Sequence, residues 1–567
     1  MSAKDMQKIR NFKIRTFTKT LLRKIALRYH CGRVWRWLHW PTRIYAMYSS
    51  PVYLWTGSLK HGSVILNGFF SVSDIFDVRY QKSWAVPQDL FADDEYFTSY
   101  LCQFGWLRDL KATGDMSARR LSRRLIEHWY DHSLYAKTKK KLRGNEDVVL
   151  AERLSNFILL YDFFGASADD SFKRIFFKNV QLEYRLLKKR YLRPQTCKLG
   201  ALKALIEFNV YCEYDNSFFG ILLVELENHL LCALQEMYLQ LLPVCEIYRN
   251  FCMAIGIRNA LIQWEKSFTD KLGKLFSRHR STFEQIQSYL HELAQFIRFF
   301  RHSSGKLCRI STRNSMCFFE QILSADVDIA LSQVESSAIL PENELNGILR
   351  LANKQSVLFV NLRKLDQALY PPTQIDRRCN SMNCEWSYQS FNVVCGSSVG
   401  IIHQSDSHDC SASVEKITGL IDEYTVDTDA NGHFFSGIVT DHGKSYAFNR
   451  ELSLLKDSIH AVDTFIVDDA VRDAFVLFNF CIGAEWELTD VNHEEQSLFG
   501  EVVMQQSKPG NKGTKKRKLA CIFRIENEQL FDISVKNADG RPVIAIVSPL
   551  SSGIPDVVRW SFSIIKS

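Results

Sequence analysis

The spacing of apolar residues changes once along this 567-residue chain, from a helical period to a period of two. From about residue 90 to residue 335, apolar residues recur every three or four positions. After Pro341 they alternate with polar residues, most regularly in Val558–Ile564. Because each pattern suits one type of secondary structure, the chain is predicted to fold as a helical region followed by an all-β region.

The first region consists of segments that have one apolar and one polar face. In Met116–Tyr130, apolar residues lie on one side and arginines on the other, and Asp115 is a candidate N-cap. The further predicted helices are Ala151–Phe164, Ser171–Tyr191, Leu199–Tyr211, Phe218–Leu241, Val244–Phe268 and Thr282–Phe300. Short polar connections between such helices predict antiparallel neighbours in a helical array or ring, and no repeat of fixed period indicates a solenoid.

The second region consists of short alternating runs separated by turn residues such as Asp429–Gly432, Pro509–Asn511 and Asp539–Gly540. The predicted strands include Ser356–Leu362, Trp386–Val394, Leu519–Ile525, Pro542–Val547 and Val558–Ile564. Many short strands between turns predict a large antiparallel β-sandwich. The fold class is therefore α+β multidomain.

Charge is distributed unevenly between the regions. The formal net charge is +8, yet residues 1–50 carry 12 Lys and Arg against the single acid Asp5. Residues 401–567 carry 16 basic against 25 acidic side chains, which leaves about +17 on residues 1–400. We predict a basic N-terminal arm at residues 1–50, a helical domain at 51–340 and a β-sandwich domain at 341–567. A basic surface attracts polyanions, of which acidic glycans and nucleic acids are two classes.

The 15 cysteines occur singly, without a CxxC pair or a Cys/His cluster at zinc spacing. Several lie in apolar helical patterns, where a free cysteine behaves as a small hydrophobic residue. We interpret them as reduced structural thiols, which favours a reducing compartment. The sequence predicts neither a metal site nor an organic cofactor.

The N-terminal segment is basic and lacks the apolar core of a secretory signal, and no uncharged apolar run reaches the length of a membrane span. Phe12–Trp40 mixes basic and aromatic residues, so it could lie on an anionic membrane surface. Packing as a helical arm against its own domain is the favoured interpretation. On these features the chain is expected to be cytoplasmic and without a membrane span.

Several segments together resemble the heparinase II/III-like polysaccharide lyases of bacteria. The similar segments are, in order, Phe104–Leu110, Ala151–Phe157, Leu199–Leu205, Phe276–Arg278, Ile297–Gly305 and Glu385–Gly396. The resemblance covers most of the chain and implies an incomplete (α/α) toroid followed by a β-sandwich. It also points to the periplasm or cell envelope, so the two compartments stay open as alternatives.

Lyases of this family cleave uronate-containing glycans by β-elimination. An Asn, Arg or His neutralises the uronate carboxylate, and a Tyr or His removes the neighbouring proton. This chemistry requires no cofactor. The resemblance therefore implies that the partner is an acidic polysaccharide. If the protein is active, its enzyme class is a carbon–oxygen lyase acting on polysaccharides. Nucleic acid is an unlikely partner, because only the charge supports it.

Four residues become candidates for the site by this resemblance. Asn156 matches an Asn of the family, and Arg278 has a planar guanidinium suited to a carboxylate or sulfate. His279 replaces a family Asn, and His408 lies near a family His segment. For each candidate the alternative is an ordinary structural or solvent-exposed residue.

Several positions that carry a His or Tyr in the family carry other residues in this chain. The family His falls on Leu275, the family Tyr on Ile348, and another His near Arg378. Leucine and isoleucine cannot transfer protons, so either neighbours such as His279 and His408 take over their role, or elimination is weakened or lost. The alternative function is a non-catalytic glycan-binding or structural envelope module. The basic run Lys508–Lys518 also suits a polyanion, but its position between two predicted strands favours a solvated hairpin loop.

Overall fold

The computed structural model describes most of the chain in stretches separated by gaps. The described residues are 46–71, 77–79, 100–133, 146–191, 198–212, 216–239, 244–308, 324–334, 344–345, 348–362, 382–389, 391–403, 413–416, 420–440, 446–467, 474–483, 486–493, 499–506, 519–527, 532–538, 541–551 and 555–566. The interpretations made for Phe12–Trp40 and for Lys508–Lys518 concern segments outside these residues.

The N-terminal part of the described chain is mainly helical. Its helices are α1 Leu59–Leu66, α2 Leu107–Thr113, α3 Met116–Ser133, α4 Glu146–Leu159, α5 Tyr161–Phe164, α6 Asp170–Arg190, α7 Lys198–Tyr211, α8 Asn216–Leu239, α9 Val244–Phe299 and α10 Ser324–Ser332. A short hairpin of β1 Phe69–Ser71 and β2 Asp77–Arg79 lies after α1.

Two helix boundaries differ from the prediction. Val244–Phe268 and Thr282–Phe300 are parts of one continuous helix of 56 residues, α9. The apolar pattern weakens between them, but that stretch contains no proline and is rich in lysine, leucine and arginine, which favour helix. Conversely, Ala151–Phe164 divides at Leu160 into α4 and α5.

Three helix termini have capping groups typical of their positions. Asp169 caps α6, since its Oδ1 accepts the Phe172 N–H at 2.7 Å. Asp115, the predicted cap of α3, accepts the Ser117 N–H at 3.1 Å. Gly114 ends α2 with a φ of 69°, a left-handed conformation that costs glycine little.

The C-terminal part is built of strands. They are β3 Glu344–Leu345, β4 Ile348–Ala352, β5 Ser356–Asn361, β6 Cys384–Tyr388, β7 Phe391–His403, β8 Ser413–Lys416, β9 Leu420–Thr428, β10 His433–Thr440, β11 Tyr446–Leu454, β12 Ser458–Val467, β13 Ala474–Ile482, β14 Trp486–His493, β15 Phe499–Gln506, β16 Leu519–Asn527, β17 Asp532–Ala538, β18 Arg541–Pro549 and β19 Asp556–Lys566. The predicted strand Trp386–Val394 is thus two strands, because the chain turns at Gln389, whose φ is 49°.

These strands form two large antiparallel sheets. One has the order β14-β15-β16-β19-β12-β11-β10-β9, and the other β17-β18-β13-β7-β6-β5-β4-β3 with β8 paired to β7. Inward-facing residues of both sheets, such as Trp386, Phe480 and Phe562, belong to one apolar cluster. The two sheets are therefore packed face to face as a sandwich. The predicted fold class, a helical region followed by antiparallel sheets, is confirmed.

The chain divides into two compact units. We call Met1–Gln240 with Tyr248–Leu293 and Ile329–Glu335 the helical unit, and Leu241–Ile247 with Ala294–Asp328 and Ser336–Ser567 the sandwich unit. The domain boundaries at residues 50 and 340 stay predictions. Among the helices that the structure describes, none has the length and apolar character needed to cross a lipid bilayer.

A charged pair lies inside the sandwich unit. Arg450 of β11 and Asp463 of β12 occupy opposite positions in the sheet, and both side chains are fully buried. Arg450 Nε and Nη2 each donate to a different oxygen of Asp463 at 2.7 Å. Arg450 Nη1 donates to the Met382 carbonyl, and Trp560 Nε1 donates to Asp463 Oδ2. Every charge in the cluster thus has a hydrogen-bond partner, as buried charges require.

The cysteines that the structure describes are free thiols, and most are buried. Burial raises the pKa of the Cys102 thiol to about 11 and also raises the pKa values of Cys384 and Cys521. Because the thiolate is the reactive form, we expect iodoacetamide at pH 8 to label these three at least about 10²-fold more slowly than exposed Cys232. Timed labelling of the native protein, read by peptide mass spectrometry, measures this ratio. Equal rates at Cys232 and Cys521 would contradict the burial argument.

Candidate functional site

Helix α4 carries the candidate residue Asn156. Its apolar residues, among them Leu154 and Phe157, are buried, whereas Asn156 is only half-buried. The Asn156 Nδ2 donates to the Gln103 carbonyl at 2.9 Å, in the turn before α2. This hydrogen bond uses one of the two side-chain N–H groups of Asn156 and holds the amide in place. The remaining N–H is the kind of donor that neutralisation of a carboxylate requires.

One turn before Asn156, the same side of α4 carries Glu152. Glu152 Oε1 lies 3.5 Å from Nη2 of Arg249, a residue of α9, and both side chains are roughly a fifth to a quarter exposed. Helix α4 therefore carries the partly exposed amide of Asn156, and the partly exposed Arg249 lies beside Glu152 of the same helix. Sequence reasoning missed Arg249, because its position in a long amphipathic helix resembles that of any surface arginine.

The neighbouring residue Arg153 is committed to the interior of the helical unit. Its Nε donates to Glu183 Oε1 at 3.0 Å, and its Nη1 donates to the Cys102 carbonyl at 2.9 Å. Its guanidinium also lies 5.0 Å from the centre of the Trp129 ring. Burial raises the pKa of Glu183, and the charge of Arg153 opposes that shift. Arg153 is therefore a structural residue.

A second buried network holds the next residue of α4. The Ser155 hydroxyl donates to Glu207 Oε2 at 2.5 Å, and Lys203 Nζ donates to Ser155 Oγ. Lys203 Nζ also lies 3.1 Å from Glu207 Oε1. A Cβ added to Gly256 of α9 would lie 2.7 Å from the Lys203 Cε, so glycine there leaves room for the lysine side chain. This network ties α4 to α7.

Five buried tyrosines that the structure describes in the helical unit do not suit the role of a general base. Burial raises the pKa values of Tyr100, Tyr130, Tyr191 and Tyr211, and likewise that of Tyr289. A phenol that removes a proton must itself be deprotonated, so a lowered pKa is needed. The raised pKa values favour the protonated form of these five tyrosines.

The four candidate residues are described to different extents. Asn156 is described fully. Arg278 and His279 lie in the helix α9, but their side chains are outside the described residues, and His408 is outside them altogether. The assignment of these residues to one site stays a prediction. Ile348, which the sequence resemblance aligns with the family Tyr, is a fully buried residue of β4.

The sandwich unit contains a group of side chains with metal-ligand chemistry. His302, Cys308 and Glu385 are buried, and their ligand atoms all lie within 4.8 Å of one another. Sequence reasoning missed this group, because Glu385 is far from the other two residues along the chain and the Cys/His spacing fits no zinc motif.

Comparisons with known proteins show a fold likeness. No family model matches the chain, and no curated protein matches its sequence. A crystal structure of heparinase III is similar over 95% of this chain and 89% of its own, with a TM-score of 0.52 and 10% identity. A heparan sulfate lyase HepC from Pedobacter heparinus covers 90% of this chain and 83% of its own, at a TM-score of 0.39 and 10% identity. The chain thus resembles heparinase III in fold along nearly its full length.

Proposed function

We propose that this protein is a polysaccharide lyase-like protein that acts on an acidic, uronate-containing glycan by β-elimination. The observation that carries the proposal is the likeness in fold to heparinase III along nearly the full length of the chain. In this protein Asn156 lies on a helix of the helical unit, and its side-chain amide donates a hydrogen bond to the Gln103 carbonyl. The positive charge of residues 1–400 supports an anionic partner.

In the proposed reaction Asn156 donates a hydrogen bond to the uronate carboxylate. That bond stabilises the negative charge that develops when the neighbouring carbon loses its proton. Arg278, His279 and His408 belong to the same proposed site, with the arginine neutralising a carboxylate or sulfate and a histidine transferring the proton. The helical domain at residues 51–340 is the part proposed to bind the glycan.

A second candidate is a non-catalytic module that binds the same class of glycan. Buried Ile348 supports it, because the resemblance aligns this side chain, which has no titratable proton, with the family Tyr. The buried tyrosines of the helical unit also favour it, since their raised pKa values oppose proton abstraction. Binding needs only the charge and the hydrogen-bond donors, both of which are compatible with these replacements.

The lyase forms a product that the binding module does not form. Elimination creates an unsaturated uronate that absorbs in the near ultraviolet, so the purified chain is incubated with a panel of acidic glycans and the absorbance is followed. We expect Asn156→Ala to lower kcat/KM by about 10²-fold, the loss typical of one hydrogen-bond donor to a developing anion. Asn228→Ala is the matched control, because Asn228 is also a half-buried helical Asn whose Nδ2 donates to a carbonyl, that of Val224. Its kcat/KM should stay within about twofold of the wild type.

Calorimetric titration with the same glycans separates the remaining outcomes. Saturable binding that Asn156→Ala weakens, without absorbance on any glycan, would replace the lyase by the binding module. Neither absorbance nor binding at low salt would contradict both functions. Equal losses of kcat/KM in the Asn156 and Asn228 variants would contradict the assignment of Asn156 to the site.

A further inference from the structure

A tight turn after α9 brings two potential ligands to one side of the chain. Arg301 and Leu307 form a β-bridge, the His302 N–H donates to the Lys306 carbonyl, and the Cys308 N–H donates to the Phe300 carbonyl, both at 2.8 Å. Gly305 closes the turn with a φ of 83°. Because side chains alternate between the faces of paired strands, His302 and Cys308 share a face opposite to that of Arg301 and Leu307.

Strand β6 contributes a third potential ligand, Glu385. Glu385 Oε2 lies 3.0 Å from His302 Nε2, and Ser387 Oγ lies 3.0 Å from His302 Nδ1. Glu385 and Ser387 are two residues apart on the strand, so both lie on the face that meets the imidazole. The exposed fractions are 3% for His302, 0% for Cys308 and 2% for Glu385.

The arrangement has the features of a zinc site. Nitrogen, sulfur and carboxylate oxygen are the ligands that zinc takes, and in a tetrahedral site they lie about 3.3–3.8 Å apart. The three ligand atoms here are within 4.8 Å of one another, so the widest pair has to close by about 1 Å. A histidine ligand is commonly oriented by a hydrogen bond at its other nitrogen, the position that Ser387 Oγ occupies.

Charge balance also favours a divalent ion. A Cys308 thiolate and a Glu385 carboxylate together offset the two positive charges of zinc, and His302 binds as the neutral imidazole. The buried site then carries no net charge. Oxygen-preferring cations such as calcium and magnesium are disfavoured, because they do not take sulfur and nitrogen ligands.

We propose that His302, Cys308 and Glu385 bind one zinc ion, with a water molecule as the fourth ligand. Binding releases the thiol proton of Cys308 and any proton shared by His302 and Glu385. The ion links the turn Arg301–Cys308 to strand β6 within the sandwich unit and has a structural role. This inference is independent of the proposed glycan chemistry.

The full-length protein, purified with a thiol reductant and stripped with a chelator, is dialysed against zinc and its metal content is measured by mass spectrometry. We expect about one zinc per chain for the wild type, and less than about 0.2 for Cys308→Ala and Glu385→Gln. Cys521→Ala is the matched control, because Cys521 is also a buried thiol of the sandwich unit and lies outside the cluster. It should retain about one zinc per chain.

A measurement on the wild type alone covers the case in which a variant does not fold. X-ray absorption at the zinc edge should show one sulfur at about 2.3 Å among nitrogen and oxygen ligands at about 2.0–2.2 Å. Folded wild-type protein that retains no zinc, an absorption spectrum without sulfur, or equal zinc content in Cys308→Ala and Cys521→Ala would each overturn the site. The group would then be a metal-free hydrogen-bonded cluster of His302, Glu385 and Ser387.

Discussion

Asp463→Asn is expected to lower the stability of the sandwich unit by about 3–5 kcal/mol, a fall in the apparent Tm of at least about 6 °C. The substitution keeps the shape of the side chain but removes its charge, which leaves the fully buried Arg450 without a counter-ion. It also replaces an acceptor oxygen of the Trp560 or Arg450 hydrogen bonds by an amide that donates. Scanning calorimetry of the full chain measures the shift.

The control for this prediction is Asp427→Asn. Asp427 lies on β9 in the same sheet but is exposed, so the same chemical change should alter stability by no more than about 0.5 kcal/mol. A Tm for Asp463→Asn within about 2 °C of the Asp427 variant would show that Arg450 does not need its counter-ion.

The sequence contains a sign of this pair. In β11, Phe448, Arg450 and Leu452 share one face by alternation, and in β12 Ala461 and Asp463 do the same. A charged residue in a row of apolar ones predicts burial with a partner. What the sequence could not supply is the register, which places Arg450 opposite Asp463 and not opposite a neighbour.

Period alone predicted much of the fold. Helix α6 was expected at Ser171–Tyr191 and runs from Asp170 to Arg190, because its burial pattern and its Asp169 cap determine both ends. The error at α9 has a different origin. The apolar pattern weakens between residues 268 and 282 and predicts two helices, whereas the stretch contains no proline and continues as one helix.

The candidate sites were less predictable, because they depend on contacts between distant segments. Asn156 could be named from a resemblance, but Gln103, which holds its amide, is 53 residues away. The cluster of His302 and Glu385 joins residues 83 positions apart in sequence. Neither contact follows from local propensity, since both require the packing of whole elements.

The second large predicted effect on stability concerns the buried network that ties α4 to α7. Lys203→Met is expected to destabilise the helical unit by about 3–5 kcal/mol, because the fully buried Glu207 then has no cation beside it. Burial raises the pKa of Glu207, and removing Lys203, whose charge opposes that shift, raises it further. A carboxyl group with a raised folded-state pKa stabilises the protein below its unfolded-state pKa, and this stabilisation is lost as the pH rises through the folded-state value. The Tm difference between variant and wild type should therefore shrink as the pH is lowered towards the ordinary range of a glutamate.

Two further variants decide whether the ion pair is the cause. Lys178→Met removes an exposed lysine of α6 and should change stability by no more than about 0.5 kcal/mol. Adding Glu207→Gln to Lys203→Met should recover at least about 2 kcal/mol, because a neutral amide does not need the missing charge. If the double variant is as unstable as Lys203→Met at every pH, the loss comes from packing of the lysine chain against Gly256. If recovery occurs, the network that ties α4 to α7 is electrostatic, and Asn156 on α4 depends for its position on a charge pair that it does not contact.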